Sequence, residues 1–110
     1  MERFVKGDVV VTLFPYSDLS QTKLRPALVV AVLPGENVIV CQITSQAIIN
    51  RYVISITNTD FTIGSLSRDS KIRPEIIHTI ERSVIGYKVG SLKPEKVEEV
   101  IKKLIEILEE

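Results

Sequence analysis

Three short groups in this chain have the residue types and spacing to do chemistry: Arg25-Pro26, Thr44-Ser45-Gln46 and Arg73-Pro74-Glu75. Pro26 fixes its own φ and biases Arg25 toward an extended backbone. The seven residues that follow, Ala27 to Leu33, are all apolar and read as a strand inside a sheet. A guanidinium held rigidly where such a strand meets solvent suits a phosphate or a carboxylate, because its planar fork matches two acceptor oxygens at once. A salt bridge on the rim of the sheet uses the same placement, so both readings stand at this point. Thr44 to Gln46 puts hydroxyl and amide groups at the end of another apolar run. Arg73 and Glu75, two apart on a strand, share a face and either act together or simply pair on the surface.

The remaining polar residues carry weaker signals. Lys23 and Arg51 read as solvated loop charges, with attraction for phosphate as the functional alternative. His78, the one histidine, reads as structural or exposed, with a titratable ring that keeps it in play as a proton donor. Cys41, the one cysteine, excludes an intramolecular disulfide and any all-cysteine metal site. It sits within Val38–Ile43 with no basic neighbour, and reads as a small buried hydrophobe. There is no phosphate-binding glycine loop, no nucleophile elbow, and no zinc or haem motif, so no metal or cofactor is expected.

The elements that must position these groups follow from pattern. Val9–Phe14 reads as a first strand ending at Pro15, followed by a glycine-free polar loop from Ser17 to Lys23. A second strand runs from about Pro26 to Leu33, a turn occupies Pro34 to Asn37, and Val38–Thr44 returns as a third, making a hairpin. Tyr52–Ile56 alternates as a fourth strand, residues 57–70 read as loop with at most a short strand, and Glu75–Ile80 reads as a fifth. Gly86 and Gly90 bracket Tyr87–Val89 as a short strand or turn. From Pro94 the period changes: Val97, Val100, Ile101, Leu104 and Leu108 recur at helical spacing, with Glu98–Lys102 and Glu99–Lys103 as i,i+4 pairs on the wet face. Ile105 and Ile107 widen the apolar face toward a possible partner.

At 110 residues, 45% hydrophobic and 25% charged, the chain fits one globular domain, residues 1–110. The apolar content is mostly Val, Ile and Leu, which favours strands over a helical bundle. The formal net charge is zero, which argues against a polybasic protein that coats nucleic acid without specificity. Residues 93–110 hold four Lys against six Glu, leaving ten basic and eight acidic groups in the first 92 residues. A polyanion site would therefore be local, built from a few Arg and Lys. No secretory pattern and no apolar stretch of membrane length occurs, so a cytoplasmic protein with no membrane partner is expected.

The order of the motifs carries more than any one of them. Gly7-Asp8-Val9-Val10-Val11, then Phe14-Pro15, then Arg25-Pro26-Ala27-Leu28-Val29-Val30, resembles the opening of the MazF/PemK family of toxin ribonucleases. Ile43-Thr44-Ser45-Gln46 resembles the end of that family's next core strand, and Asp69-Ser70, Thr79-Ile80-Glu81 and the stretch from Leu92 to Leu108 fall in register. The resemblance covers nearly the whole chain. It implies a mainly β fold, a small SH3-like β-barrel of the MazF/PemK/CcdB type with a C-terminal amphipathic α-helix. It also implies a homodimeric, metal-independent endoribonuclease that cuts single-stranded RNA, usually messenger RNA, at a short sequence. A cognate antitoxin with a disordered tail would cover the RNA groove.

Carried onto this sequence, the resemblance makes Arg25 and Thr44 the catalytic Arg and Thr. Arg73 and Glu75 match the Arg-x-Asp pair of the Kid/PemK branch, with Glu one methylene longer than the branch's Asp. Lys23, Ser45, Gln46 and Arg51 are the expected RNA-binding residues. Cleavage of this kind uses the 2′-hydroxyl on the adjacent phosphate and leaves a 2′,3′-cyclic phosphate and a 5′-hydroxyl. It needs a base near the 2′-oxygen, donors for the crowded phosphorane oxygens, and an acid for the departing 5′-oxygen. Arg25 supplies two fixed donors and Thr44 a third, and Glu75 is the candidate base. Arg73 has an electrostatic role, since a guanidinium does not give up its proton. Two other functions stay open: a non-catalytic barrel toxin that grips a DNA topoisomerase, and a module that binds RNA without cutting it.

Overall fold

Apolar side chains alternate along the central strands, and each alternate set finds its own core. The computed structural model describes residues 3–15 and 22–110; most of the expected Ser17–Lys23 loop lies outside them. The described strands are β1 (Asp8–Pro15), β2 (Thr22–Val32), β3 (Asn37–Thr44), β4 (Ile54–Ile56), β5 (Phe61–Gly64), β6 (Ser70–Glu81) and β7 (Ile85–Leu92). One helix, α1 (Pro94–Glu109), follows. The strands form one antiparallel sheet in the order β4-β6-β3-β2-β1-β7-β5. Consecutive strands β4 and β5 thus lie on opposite edges, and only a curled sheet lets the few residues between them span that gap. The result is an antiparallel half-barrel with one C-terminal helix, mainly β as expected.

One face of the sheet is closed by α1. Val9, Leu28, Cys41, Ile43, Ile54, Ile56 and Ile72 pack with Leu92 and with Val97 and Val100 of the helix. Residues one step along on the same strands, Val10, Ala27, Val29, Val38 and Val40, point the other way and form a smaller core with Phe4 and Phe14. A period of two therefore assigns every central-strand side chain to one face or the other. His78 belongs to the second face, with its ring edge-on to Phe14 at 4.7 Å, which gives it the structural role among its two readings.

Several elements differ from the sequence reading for physical reasons. β2 begins at Thr22 rather than Pro26, because Lys23, Leu24 and Arg25 pair with Phe14, Leu13 and Thr12 of β1. Arg25 therefore lies within the strand, not at its mouth. β6 begins at Ser70, five residues before the expected Glu75. Pro74 hides this extension, since a proline cannot donate to a ladder. The strand absorbs it in a bulge: Gln42 of β3 faces Arg73, whereas the preceding Cys41 faces Ile77, leaving Pro74, Glu75 and Ile76 unmatched.

Gly86 and Gly90 do not end a short strand but sit inside β7. A Cβ on Gly90 would lie 2.4 Å from the Ile63 carbonyl oxygen, so this glycine permits β5 to approach β7. The expected turn at Pro34–Asn37 is present, closed by Leu33 N–H donating to the Asn37 carbonyl at 3.0 Å, with Gly35 at φ 85°. In α1, the ion pairs formed are Lys96–Glu99 and Lys103–Glu106, spaced by three rather than by four. Leu108, expected on the apolar stripe, is 74% exposed. No described helix is long and apolar enough to cross a membrane.

Candidate active site

The register of the sheet lines up a polar row across five neighbouring strands. Thr12 of β1 faces Arg25 of β2. Two residues past the Ala27–Gln42 pair on each strand, Arg25 and Thr44 of β3 occupy the same face. Thr44 faces Lys71 of β6, and Lys71 faces Ser55 of β4. Directly opposite residues in an antiparallel pair share a face, and this is the face away from α1. Thr12 is fully buried and donates its hydroxyl to the Val84 carbonyl at 2.9 Å, which closes that end of the row. Arg25 and Thr44 open onto a cavity of about 230 Å³, also lined by Ser45, Ser67, Arg68 and Ser70.

Thr44 is set up to donate. Its hydroxyl accepts the Gln46 backbone N–H at 3.1 Å, a local turn at the strand end. A hydroxyl that accepts one bond keeps its own proton for another group. Ser45 lines the cavity with Thr44 and Arg25, and Gln46 lines an adjoining recess. Lys23 is exposed on β2, two residues before Arg25.

Arg73 and Glu75 do form the expected pair, and it is more than a surface contact. Arg73 Nε donates to Glu75 Oε2 at 3.0 Å, and Nη2 lies 3.0 Å from the same oxygen. Asn50 Nδ2 adds a third donor to Oε2 at 2.9 Å. Asn50 is itself fixed, its Oδ1 accepting the backbone N–H groups of Tyr52 and Val53 at 2.8 and 3.0 Å. Oε2 is thus committed, while the other oxygen, Oε1, is buried with no hydrogen-bond partner among the described residues. The bulge at Pro74 takes Glu75 out of the ladder, and Arg73 faces Gln42, two residues before Thr44 on β3; neither side chain lines the cavity of Arg25 and Thr44.

Arg51 lies elsewhere. Its guanidinium pairs with the Glu110 carboxylate and stacks over the Tyr52 ring at 4.9 Å, tying the loop before β4 to the end of α1. Cys41 is fully buried on the helix-covered face, and burial, helped by the Glu75 charge, pushes its thiol up to about 12. It is no nucleophile. Sequence reasoning missed three contributors: Arg68, Lys71 and Asn50. The signal for Lys71 was its period-two relation to Arg73, hidden once the strand was taken to begin at Glu75. Arg68 and Asn50 sit in loops, where spacing carries no positional information.

The model of the PemK-like, MazF-like toxins of type II toxin–antitoxin systems matches residues 5–108. The chain belongs to that family. Among solved structures, the family member is similar to an endoribonuclease in complex with its cognate antitoxin from a mycobacterial species, at 14% identity and a TM-score of 0.77, covering 97% of this chain and 96% of that one. MazF from Deinococcus radiodurans has 20% identity and a TM-score of 0.74, with 96% of each chain covered. A second mycobacterial endoribonuclease has 16% identity and a TM-score of 0.75, covering 99% of this chain and 94% of that one. No curated protein matches the sequence significantly. At such identities the likeness is one of fold, and it places this toxin-family chain on the same curled sheet and helix.

Proposed function

We propose that this chain is a cytoplasmic, homodimeric toxin that cuts single-stranded RNA, chiefly messenger RNA, at a short sequence and without a metal ion. The observation that carries the reading is the row in which Arg25 and Thr44 share one face and one cavity, with Arg73, paired to Glu75, facing Gln42 two residues before Thr44. The 2′-hydroxyl oxygen attacks the adjacent phosphorus, and the bond to the 5′-oxygen breaks. The products are a 2′,3′-cyclic phosphate and a 5′-hydroxyl. Arg25 donates to the non-bridging oxygens as charge builds on them, and Thr44 adds its hydroxyl at the same centre. Glu75, held in place by Arg73 and Asn50, takes the 2′-proton. Arg73 acts through its charge, and water protonates the leaving 5′-oxygen.

A fold shared with an endoribonuclease solved with its cognate antitoxin supports a protein antitoxin as a partner. A second copy has an apolar patch to bury: Leu13 and Leu24 face each other across β1 and β2 and are 46% and 60% exposed. The test uses purified protein, EDTA and a panel of RNAs, followed by the same RNAs with a single 2′-deoxynucleotide at the mapped cut. Cleavage in EDTA that ends in a cyclic phosphate and is blocked by that one substitution is expected. Absence of cleavage across diverse RNAs sinks the enzyme reading.

A further inference from the structure

Residues 45–53 join the end of β3 to the start of β4 and belong to no strand, so side chains hold this loop in shape. One of those side chains reaches the proposed chemistry: Asn50 Nδ2 donates to Glu75 Oε2 at 2.9 Å. Two residues on, the loop is fastened to the end of α1 through Tyr52 and Glu110. Resting on the endoribonuclease reading above, in which Glu75 is the base, we propose that Tyr52 and Glu110 are positioning residues that act on Glu75 through Asn50.

The helix is the fixed end of this chain of contacts. Val97 and Val100 are buried in the main core, and Ile101 and Leu104 pack against it. At the end of the helix, Glu110 Oε2 accepts the Tyr52 hydroxyl at 2.9 Å, and that hydroxyl accepts from Arg51 Nη2 at 2.8 Å. The phenol oxygen thus gives one bond and receives another, which fixes the direction of the side chain as well as its reach. The backbone carries the hold onward: Asn50 Oδ1 accepts the N–H groups of Tyr52 and Val53 at 2.8 and 3.0 Å. Oδ1 and Nδ2 belong to one planar amide, so the bonds to Oδ1 set the angle at which Nδ2 meets Glu75.

Glu75 has two supports of different kinds. Arg73 shares its strand, two residues away, whereas Asn50 comes from 25 residues away and refers the carboxylate to the rest of the fold. A base works only within hydrogen-bond reach of its proton, and a displacement of about 1 Å costs about a hundredfold in rate. Within the clasp the two contacts to Glu110 are unequal. The Arg51–Glu110 ion pair is exposed on both sides and screened by solvent, so the hydroxyl–carboxylate bond from Tyr52 carries more of the effect.

The experiment measures kcat and KM in EDTA on an RNA carrying the mapped cut, with a denaturation curve for each protein. Glu110→Ala and Tyr52→Phe are each expected to lower kcat about fivefold, with KM and the denaturation midpoint near wild type. Asn50→Ala, which removes the bond to Glu75 itself, is expected to lower kcat about twentyfold. Glu110→Gln, whose amide oxygen still accepts the Tyr52 hydroxyl, is expected to recover most of the rate lost in Glu110→Ala. In the Asn50→Ala background, Glu110→Ala is expected to cost nothing further, because the path to Glu75 is already cut. If Asn50→Ala opens the loop, Asn50→Asp serves the same cycle, since it keeps the acceptor for the backbone and lacks the donor to Glu75. A fivefold loss in that background too, or a raised KM at unchanged kcat, overturns the positioning role while the cleavage reading stands. Wild-type rates from Glu75→Gln remove the base assignment, and no cleavage by wild type removes the proposed function; either takes this proposal with it.

Discussion

The two faces of the same strands have been put to opposite uses. Toward α1, Leu28, Ile43 and Ile72 are completely buried in the apolar core. On the other face the strands fill their middles with Ala27, Val29 and Val40 but leave their ends to Arg25, Thr44 and Lys71. The closed face supplies the burial that holds the sheet, so the open face is able to keep charged groups at fixed spacing without having to bury them. A side chain's role is thus set by whether its position along the strand is odd or even, and by which end it is near.

The sharpest way to break this comparison is to damage each face separately. Leu28→Ala on the closed face is expected to cost about 2–5 kcal/mol of stability, seen as a lower denaturation midpoint, because it leaves a cavity in the main core. Thr44→Val on the open face is expected to slow RNA cleavage about a hundredfold or more, as one phosphorane donor is lost. Its stability cost is about 1 kcal/mol, from the lost bond to the Gln46 N–H.

A pH series tests the closed face without changing its shape much. The Cys41 thiol stands at about 12 in the fold against 9.0 in the free side chain. The native state therefore holds its proton where the unfolded chain has released it, and this group's contribution is complete below pH 9 and lost as pH rises toward 12. Wild type is expected to lose about 1 kcal/mol more than Cys41→Ala between pH 8 and pH 10 by urea denaturation. Equal slopes would place the thiol in contact with solvent. The smallest effect is expected from Leu108→Lys at the exposed end of α1, within about 0.5 kcal/mol for the monomer. A larger loss, seen with dissociation in sedimentation, would show that a second copy covers the end of the helix.

The sequence made the closed face easier to read than the open one. The apolar runs Val9–Phe14 and Val38–Thr44, and the helical spacing from Val97 to Leu104, are burial patterns that a sequence shows directly. Arg25 and Thr44 were legible as candidates because each adjoins such a pattern. Lys71 was not, since Pro74 made the first half of β6 look like a loop and only a three-residue bulge reconciles the proline with the strand. β7 was short in the sequence reading because Gly86 and Gly90 imitate turn residues, whereas Gly90 is there for the approach of β5. Asn50 holds Glu75 from 25 residues away, a relation that exists only in three dimensions.

The central claim, that the open face carries the chemistry while the closed face carries the fold, is tested most directly with Arg25→Ala. Single-turnover cleavage of one RNA in EDTA is measured beside a denaturation curve for the same protein samples. The expected result is a loss of at least about a hundredfold in rate with a denaturation midpoint close to wild type. Cleavage at the wild-type rate by a folded Arg25→Ala protein would contradict it.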